Sequence, residues 1–164
     1  MPPSLWFIGN HFGTFDAVGW RHPPHQVTLK DTGQYENTVI IFTSDLGGYL
    51  GDFNLMLKGP VPLRSITHVP MIWYDPTTRK AVQTDTMAST IHISASILER
   101  TGLAPYIGIQ GRRFLSALDG ARRHRNEVLI EHNDGGPRMG FTSAARVRTL
   151  RSANWRFSTY AGED

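Results

Sequence analysis

The residues best placed for chemistry lie in the segment 37–60, NTVIIFTSDLGGYLGDFNLMLKGP. An unbroken apolar run, residues 39–42, ends shortly before Asp45, and a glycine-rich loop then leads to Lys58. A continuous apolar run without alternation is typical of a strand covered on both faces, as in a parallel sheet. Ligands gather beyond the carboxyl ends of such strands, so we expect any chemistry of this chain at Asp45.

Each charged residue of this segment also has a purely structural interpretation. An aspartate after a strand often caps the amides of its own turn, and taken alone Asp45 fits that role. Lys58 taken alone is a solvated surface lysine, and Asp52 is expected to hold the loop rather than to do chemistry. The surrounding sequence has to decide between these alternatives.

Several sequence blocks, in the same order, resemble the type I sulfatases of the alkaline phosphatase superfamily. The blocks are a strand followed by Thr-Ser-Asp-x-Gly, a later Lys-Gly-Pro, then HVPMIWYDP and STIHISASILERTGLAPYIGIQGRRFLSALDG. The likeness covers about residues 27–160 and corresponds to the carboxyl-terminal part of such an enzyme. It implies an α/β fold, with a partial alkaline-phosphatase-like sheet, helices and a small C-terminal antiparallel sheet.

The resemblance also implies roles for the two charged residues. In that family the aspartate binds a divalent metal, Ca²⁺ or Mg²⁺/Mn²⁺, and the lysine grips the sulfate. Asp45 is therefore expected to be a metal ligand, and Lys58 the catalytic and substrate-binding residue. Leu46 stands where relatives usually carry His or Asn, and Phe53 stands where many carry the His of Gly-Asp-His; neither side chain can coordinate a cation or donate a proton. We therefore expect metal binding to be weak or lost.

The attacking group of the family has no counterpart in this sequence. The family nucleophile is a Cys, converted to formylglycine, or sometimes a Ser, in Cys/Ser-x-Pro-x-Arg. This chain has no cysteine, so formylglycine cannot form here. The nearest look-alike is residues 60–64, PVPLR, which has Pro60 at the nucleophile position.

Three functions compete on this basis. The first is a sulfatase-like, metal-assisted hydrolase of sulfuric esters, present as an incomplete or inactive fragment. The second is a non-catalytic remnant that acts as a binding or interaction module. The third is a phosphodiesterase or phosphonate monoester hydrolase, because the same superfamily site serves phosphorus esters. A sulfate or phosphate ester is the expected partner of an active form.

Composition narrows the choice of partners and compartment. The chain has 164 residues, 40% apolar and 19% charged, with a formal charge of +3. The arginine-rich segment 112–156 could favour anionic substrates, but a solvated surface is the preferred interpretation, and no nucleic-acid partner is expected. No apolar run reaches about 18 residues, so we expect no membrane partner. The first ten residues lack a signal-peptide pattern, which favours a cytoplasmic location.

The chain is expected to divide into three parts: an irregular arm at 1–26, a sulfatase-like α/β part at 27–120 and a truncated antiparallel β subdomain at 121–164. His22 and His25 flank two prolines, and this pair is expected to be structural rather than a metal site. The apolar 39–44 strand needs a cover, which we expect to be the arm or a second copy of the chain.

Periodicity and end signals place the remaining elements. The first expected helix is His25–Thr32, which stops at Gly33. The second contains Ile91, Ile93, Ile97 and Leu98, is capped by Thr84 or Asp85 and ends at Gly102, and the third is Arg112–Leu118, closed by Gly120. The further expected strands are Val69–Tyr74, Glu127–Glu131, Ala145–Leu150 and Trp155–Tyr160. His92, set among Ile and Ser residues, is expected to be a structural histidine.

Overall fold

The computed structural model describes residues 5–8, 24–78, 82–84, 86–118, 124–137 and 142–161. Its helices are α1 (Pro24–Asp31), α2 (Arg64–Thr67), α3 (His92–Arg100) and α4 (Leu115–Leu118), and its strands are β1 (Leu5–Ile8), β2 (Ile40–Thr43), β3 (Met71–Tyr74), β4 (Val82–Thr84), β5 (Glu127–Asn133), β6 (Arg146–Ser152) and β7 (Arg156–Ala161). The backbone separates into two compact units, residues 1–43 with 70–85 and residues 44–69 with 86–164.

The first unit holds a four-stranded sheet in the order β2-β3-β1-β4. β3 is antiparallel to both β2 and β1, and only β1 and β4 run parallel. All four residues of β3 are buried, whereas those of β2 are half-buried. The strand after Asn37 is therefore confirmed, but the expectation of a doubly covered strand in a parallel sheet was wrong. β2 is an outer strand of this sheet, so its apolar side chains are half-covered.

The amino-terminal segment contributes to the same sheet. Leu5–Ile8, inside the segment expected to be irregular, forms β1 between β3 and β4. α1 follows and ends as predicted: Lys30 lies in its last turn and Gly33 adopts a left-handed φ of +69°. His22 lies outside the described residues.

The predicted helix that ends at Gly102 is also confirmed, as α3 of the second unit, but its predicted N-terminal cap is not. α3 begins at His92 and ends before Gly102, whose φ is +73°. Thr84 belongs to strand β4 instead of capping the helix, and Asp85 lies outside the described residues. Alternation was too short to signal a three-residue strand here. The predicted helix at 112–118 is shorter than expected, and Gly120 also lies outside the described residues.

The second unit ends in the predicted antiparallel sheet, with strand order β5-β6-β7. On β6 the arginines Arg146 and Arg148 are exposed, while Val147 and Thr149 between them are buried. The Thr149 and Ser158 hydroxyls share a hydrogen bond of 2.9 Å across the pair. Among the described helices the longest has nine residues, whereas a bilayer span needs about 20. None of these described helices is a candidate membrane span.

Candidate functional site

Asp45 lies in a turn that directly follows β2, and its carboxylate is partly used in that turn. Oδ1 accepts a hydrogen bond from the Leu46 N–H at 2.8 Å and one from the Ser44 hydroxyl at 3.3 Å. The Ser44 hydroxyl also lies 2.9 Å from the Leu46 carbonyl oxygen. The structural interpretation of Asp45 therefore applies, and any chemistry has to use the exposed remainder of the carboxylate.

The loop places Lys58 within electrostatic range of Asp45. The pKa of the Asp45 carboxyl is lowered from its usual value, first by the Leu46 N–H, then by the Ser44 hydroxyl and the positive charge of Lys58, while desolvation opposes these effects. Both side chains are exposed to solvent. The Asp45 carboxylate and the Lys58 ammonium group thus lie near one another on the exposed surface of the second unit, and we call this pair the corner.

Tyr49 closes the loop so that residue 58 returns toward residue 45. Its ring is completely buried, and its hydroxyl both accepts from the Val61 N–H and donates to the Val61 carbonyl, each at 2.9 Å. The Tyr49 N–H also donates to the Leu57 carbonyl at 2.8 Å. Sequence reasoning missed this anchor, because one tyrosine among glycines carries no periodic signal.

Gly47 fixes the other end of the loop against α2. Its N–H donates to the Ile66 carbonyl at 2.9 Å. A Cβ at this position would lie 1.8 Å from the Ser65 carbonyl oxygen, so only glycine fits. Leu63 and Ile66 pack with Tyr49 in a small apolar cluster under the loop. The exposed corner therefore rests on a buried base.

The outer part of the loop has an unusual backbone. Four residues other than glycine adopt left-handed φ angles between 51° and 61°: Leu50, Phe53, Asn54 and Leu57. For bulky residues this conformation is strained, and such strain concentrates at functional sites. Leu50, Phe53 and Leu57 are also largely exposed. The structure thus combines backbone strain and exposed apolar surface between Asp45 and Lys58.

The described residues do not by themselves fit a divalent-metal site. A hard cation takes about six oxygen ligands. Across the described ranges no group of three or more His, Asp or Glu side chains is arranged to hold a metal ion. One Asp45 oxygen is engaged in its own turn, and the neighbouring residue is Leu46. Asp45 as a metal ligand therefore stays a prediction, and no chemical step is assigned to a metal here.

The segment 60–64, the nearest look-alike of the nucleophile motif, is structural. Pro60, Pro62 and Leu63 are buried, and α2 begins at Arg64. Proline has no nucleophilic atom, so this segment supplies packing rather than an attacking group. Phe53, which stands where many relatives carry a histidine, is 82% exposed.

His92 is a structural histidine, as its sequence context indicates. It is only 2% exposed, and its Nδ1 accepts the Arg112 N–H at 3.0 Å. The His124 ring meets it edge to face at 4.9 Å between centroids. Burial first, and then the charge of Arg125, His124 and Arg112, lower the pKa of His92 to about 4. At neutral pH the buried imidazole is therefore uncharged.

Comparison with known proteins shows what the segment containing Asp45 and Lys58 is similar to. The sulfatase family model matches residues 27–103. Arylsulfatase K from Danio rerio is 23% identical over 138 residues, which is 81% of this chain and 25% of the relative. The chain thus spans about a quarter of the length of this curated relative.

Solved structures show the same architecture. The phosphonate monoester hydrolase SpPMH from Silicibacter pomeroyi superposes with a TM-score of 0.69 at 26% identity, covering 84% of this chain and 29% of that one. BT4656, solved in complex with its substrate D-glucosamine-2-N,6-O-disulfate, gives a TM-score of 0.74 at 18% identity, covering 85% and 28%. The expected alkaline-phosphatase-like partial sheet is confirmed. Residues 27–103 thus match the sulfatase family model, and the chain is similar over most of its length to part of a sulfatase and of a phosphonate monoester hydrolase.

Proposed function

We propose that the corner formed by Asp45 and Lys58 binds the oxyanion group of a sulfate ester in a sulfatase-type hydrolase. The observation that carries the proposal is the electrostatic influence of Lys58 on the Asp45 carboxylate, thirteen positions away, within the segment that matches the sulfatase family model. Tyr49 and Gly47 hold the loop that makes this pairing. The exposed position of both side chains leaves the corner open to a ligand.

Lys58 is the residue with the direct chemical role in this proposal. When a sulfate ester is hydrolysed, the bond between sulfur and the bridging oxygen breaks, and negative charge is distributed over the sulfuryl and leaving-group oxygens. A positioned ammonium group stabilises such charge, and removing one electrostatic donor typically costs about 3 kcal/mol in the transition state. Asp45 has no direct contact with the anion in this proposal; its carboxylate is held in the turn by the Leu46 N–H and the Ser44 hydroxyl.

Two other functions have specific support. The similarity to SpPMH, a phosphonate monoester hydrolase, favours a phosphorus ester as an alternative substrate. A non-catalytic binding module is favoured by the absence of cysteine and by Pro60 at the nucleophile position. Both alternatives keep Lys58 as an oxyanion ligand, so binding has to be measured separately from turnover.

The test uses the 164-residue chain with 4-nitrophenyl sulfate and 4-nitrophenyl phosphate. We expect Lys58→Ala to weaken binding of the preferred ester about tenfold or more, since a hydrogen bond to a charged group contributes about 1.5–3 kcal/mol. Lys30→Ala is the matched control, because Lys30 instead lies over the Tyr35 ring in the first unit. Equal affinities of Lys58→Ala and the wild type would refute the proposal.

Release of 4-nitrophenol then separates the candidate functions. Turnover of the sulfate that disappears in Lys58→Ala supports the sulfatase function, and preferred turnover of the phosphate supports the phosphorus-ester alternative. Binding without turnover identifies the binding module.

The proposed metal role of Asp45 has its own test, because the turn and the ligand interpretations respond differently to one substitution. Asp45→Asn keeps a side-chain oxygen for the Leu46 N–H but removes the charge that a cation needs. Under the ligand interpretation, calorimetric titration with Ca²⁺, Mg²⁺ or Mn²⁺ gives heat with the wild type and none with Asp45→Asn. Equal heats would remove Asp45 as a ligand and leave it as a turn residue.

A further inference from the structure

A second group of cationic side chains lies in the same unit, at one end of the C-terminal sheet. Arg151 on β6 is paired directly with Arg156 on β7. The side chain of Arg156 reaches across to donate a hydrogen bond to the Pro62 carbonyl. Pro62 lies two residues before Arg64 and four after Lys58. Arg151 and Arg156 therefore lie together near Pro62 at the end of the loop that carries Lys58, and Arg64 is close enough for its charge to act on Arg151.

Arg151 occupies a costly position for a cation. Side chains alternate between the faces of a strand, so Arg151 shares the covered face with Val147 and Thr149, both of which are buried. Arg151 itself is half-buried. Burial, then the charges of Arg64 and Arg156, lower the pKa of its guanidinium. Like charges directly opposite one another across a strand pair destabilise a sheet.

In the part of the chain that the structure describes, no carboxylate forms an ion pair with Arg151 or Arg156. Arg148 on the same sheet differs, because its Nε is 2.6 Å from Glu131 Oε1. Glu127 is opposite Ser152, one position away from Arg151, and therefore on the other face. A cluster of guanidinium groups with this arrangement matches an anion with several oxygens, because each guanidinium presents parallel N–H donors.

We propose that Arg64, Arg151 and Arg156 form an oxyanion subsite that binds a sulfate or phosphate group. This subsite does not include Lys58. Free inorganic sulfate and a second sulfate group on a substrate have the same recognition chemistry. Only the second origin rests on the proposed function, since it requires a substrate whose first sulfate sits at Lys58.

The first experiment measures binding of inorganic sulfate to the full chain by calorimetry and by thermal shift. We expect wild-type binding to weaken about tenfold or more in Arg151→Gln and in Arg156→Gln, because each loses charge-assisted hydrogen bonds. Arg146→Gln is the matched control: it removes one arginine charge from the same strand, at an exposed position outside the cluster. Since sulfate stabilises many proteins by exclusion from their surface, the difference between variants is the decisive quantity.

Two results would overturn the subsite. One is equal sulfate affinity in the wild type, Arg151→Gln and Arg156→Gln; the other is an equal loss in Arg146→Gln, which would show a general effect of net charge. Arg151→Gln is also expected to keep or raise the melting temperature without sulfate, since it removes like-charge repulsion. A cooperative unfolding transition in each variant shows that lost binding is not lost folding.

The second experiment identifies the source of the oxyanion. Hydroquinone disulfate and hydroquinone monosulfate are compared in the wild type, Lys58→Ala and Arg151→Gln. If the subsite takes a second substrate group, Arg151→Gln weakens only the disulfate, whereas Lys58→Ala weakens both esters. If inorganic sulfate binding depends on Arg151 while Lys58→Ala changes neither ester, the subsite stands and the proposed function of the Lys58 corner fails.

Discussion

Two regions of the second unit, the loop 44–60 and the largely helical segment 92–118, are held in place by different means. In the segment 92–118, buried side chains accept backbone N–H groups: His92 Nδ1 from Arg112 at 3.0 Å and Ser96 Oγ from Phe114 at 3.1 Å. These bonds link α3 to the stretch before α4 through groups shielded from water. Buried polar groups that are paired in this way make a rigid support.

The loop 44–60 is anchored at its base, and in its outer part Leu55 packs against the apolar cluster beneath it. Tyr49 and Gly47 are fixed by hydrogen bonds, but the outer part carries left-handed residues and exposed apolar side chains. Regions with few buried contacts open at low free-energy cost, and ligand-binding loops are drawn from this group. The comparison indicates that the segment 92–118 contributes to the stability of the folded state, whereas the outer part of the loop between Asp45 and Lys58 contributes little to it.

Phenylalanines in the two regions give the largest expected contrast. Phe114 is fully buried, and Phe53 is 82% exposed. We expect Phe114→Ala to lower the free energy of unfolding by about 4 kcal/mol, because it removes a large apolar side chain and leaves a cavity. Phe53→Ala should change it by no more than about 0.5 kcal/mol. Urea denaturation of both variants measures the difference, and similar losses would show that the loop is packed as firmly as the segment 92–118.

The pH dependence of stability gives the next contrast. The pKa of His92 is lowered to about 4 from 6.5, so the unfolded state binds a proton more readily than the folded state. Stability associated with the neutral imidazole is complete above pH 6.5 and is lost as the pH falls from 6.5 toward 4. A shift of this size corresponds to about 3 kcal/mol. Urea denaturation at several pH values measures this loss.

His92→Asn is the variant that isolates the effect. Its side-chain oxygen can accept the Arg112 N–H in place of Nδ1, but it does not titrate. The slope between pH 6.5 and 4 should therefore decrease in His92→Asn. A smaller slope remains, because burial and Arg125 also lower the pKa of His124. An unchanged slope in His92→Asn would show that other groups control the acid transition.

Elements with strong local signals could be predicted from the sequence. The alternation around Val147 and Thr149 gave strand β6, and the glycine at 102 marked the end of α3. These signals depend on near neighbours in the chain. The direction in which strands pair does not depend on near neighbours in the chain. The sheet around residues 39–44 was expected to be parallel, but β2 pairs with β3 in the antiparallel direction.

The candidate site shows the same limit. The sequence indicated Asp45 and Lys58, and their electrostatic proximity is consistent with that choice, while their roles stay predictions. It gave no sign of Tyr49 as the anchor of the loop. The arginine cluster joins Arg156 to Pro62, 94 residues earlier, and no local pattern reports such a contact. Scattered arginines were therefore interpreted as solvated surface.

The smallest expected effect tests whether the loop backbone is strained. Leu57 and Met56 are adjacent and exposed by 80% and 66%, but only Leu57 has a left-handed φ, of 61°. Glycine accepts that conformation freely, whereas an L-residue loses roughly 1–2 kcal/mol in it. Met56→Gly gains nothing in the folded state and loses stability through the greater entropy of its unfolded chain.

We therefore expect Leu57→Gly to be more stable than Met56→Gly by about 1 kcal/mol, as measured by urea denaturation. The Leu57 carbonyl still accepts the Tyr49 N–H in this variant, so the anchor of the loop is retained. Equal stability of the two variants would mean that the loop relaxes without cost, and the contrast with the segment 92–118 would then rest on packing alone. A clear difference would locate the strain in the backbone between Asp45 and Lys58, where a bound oxyanion could offset it.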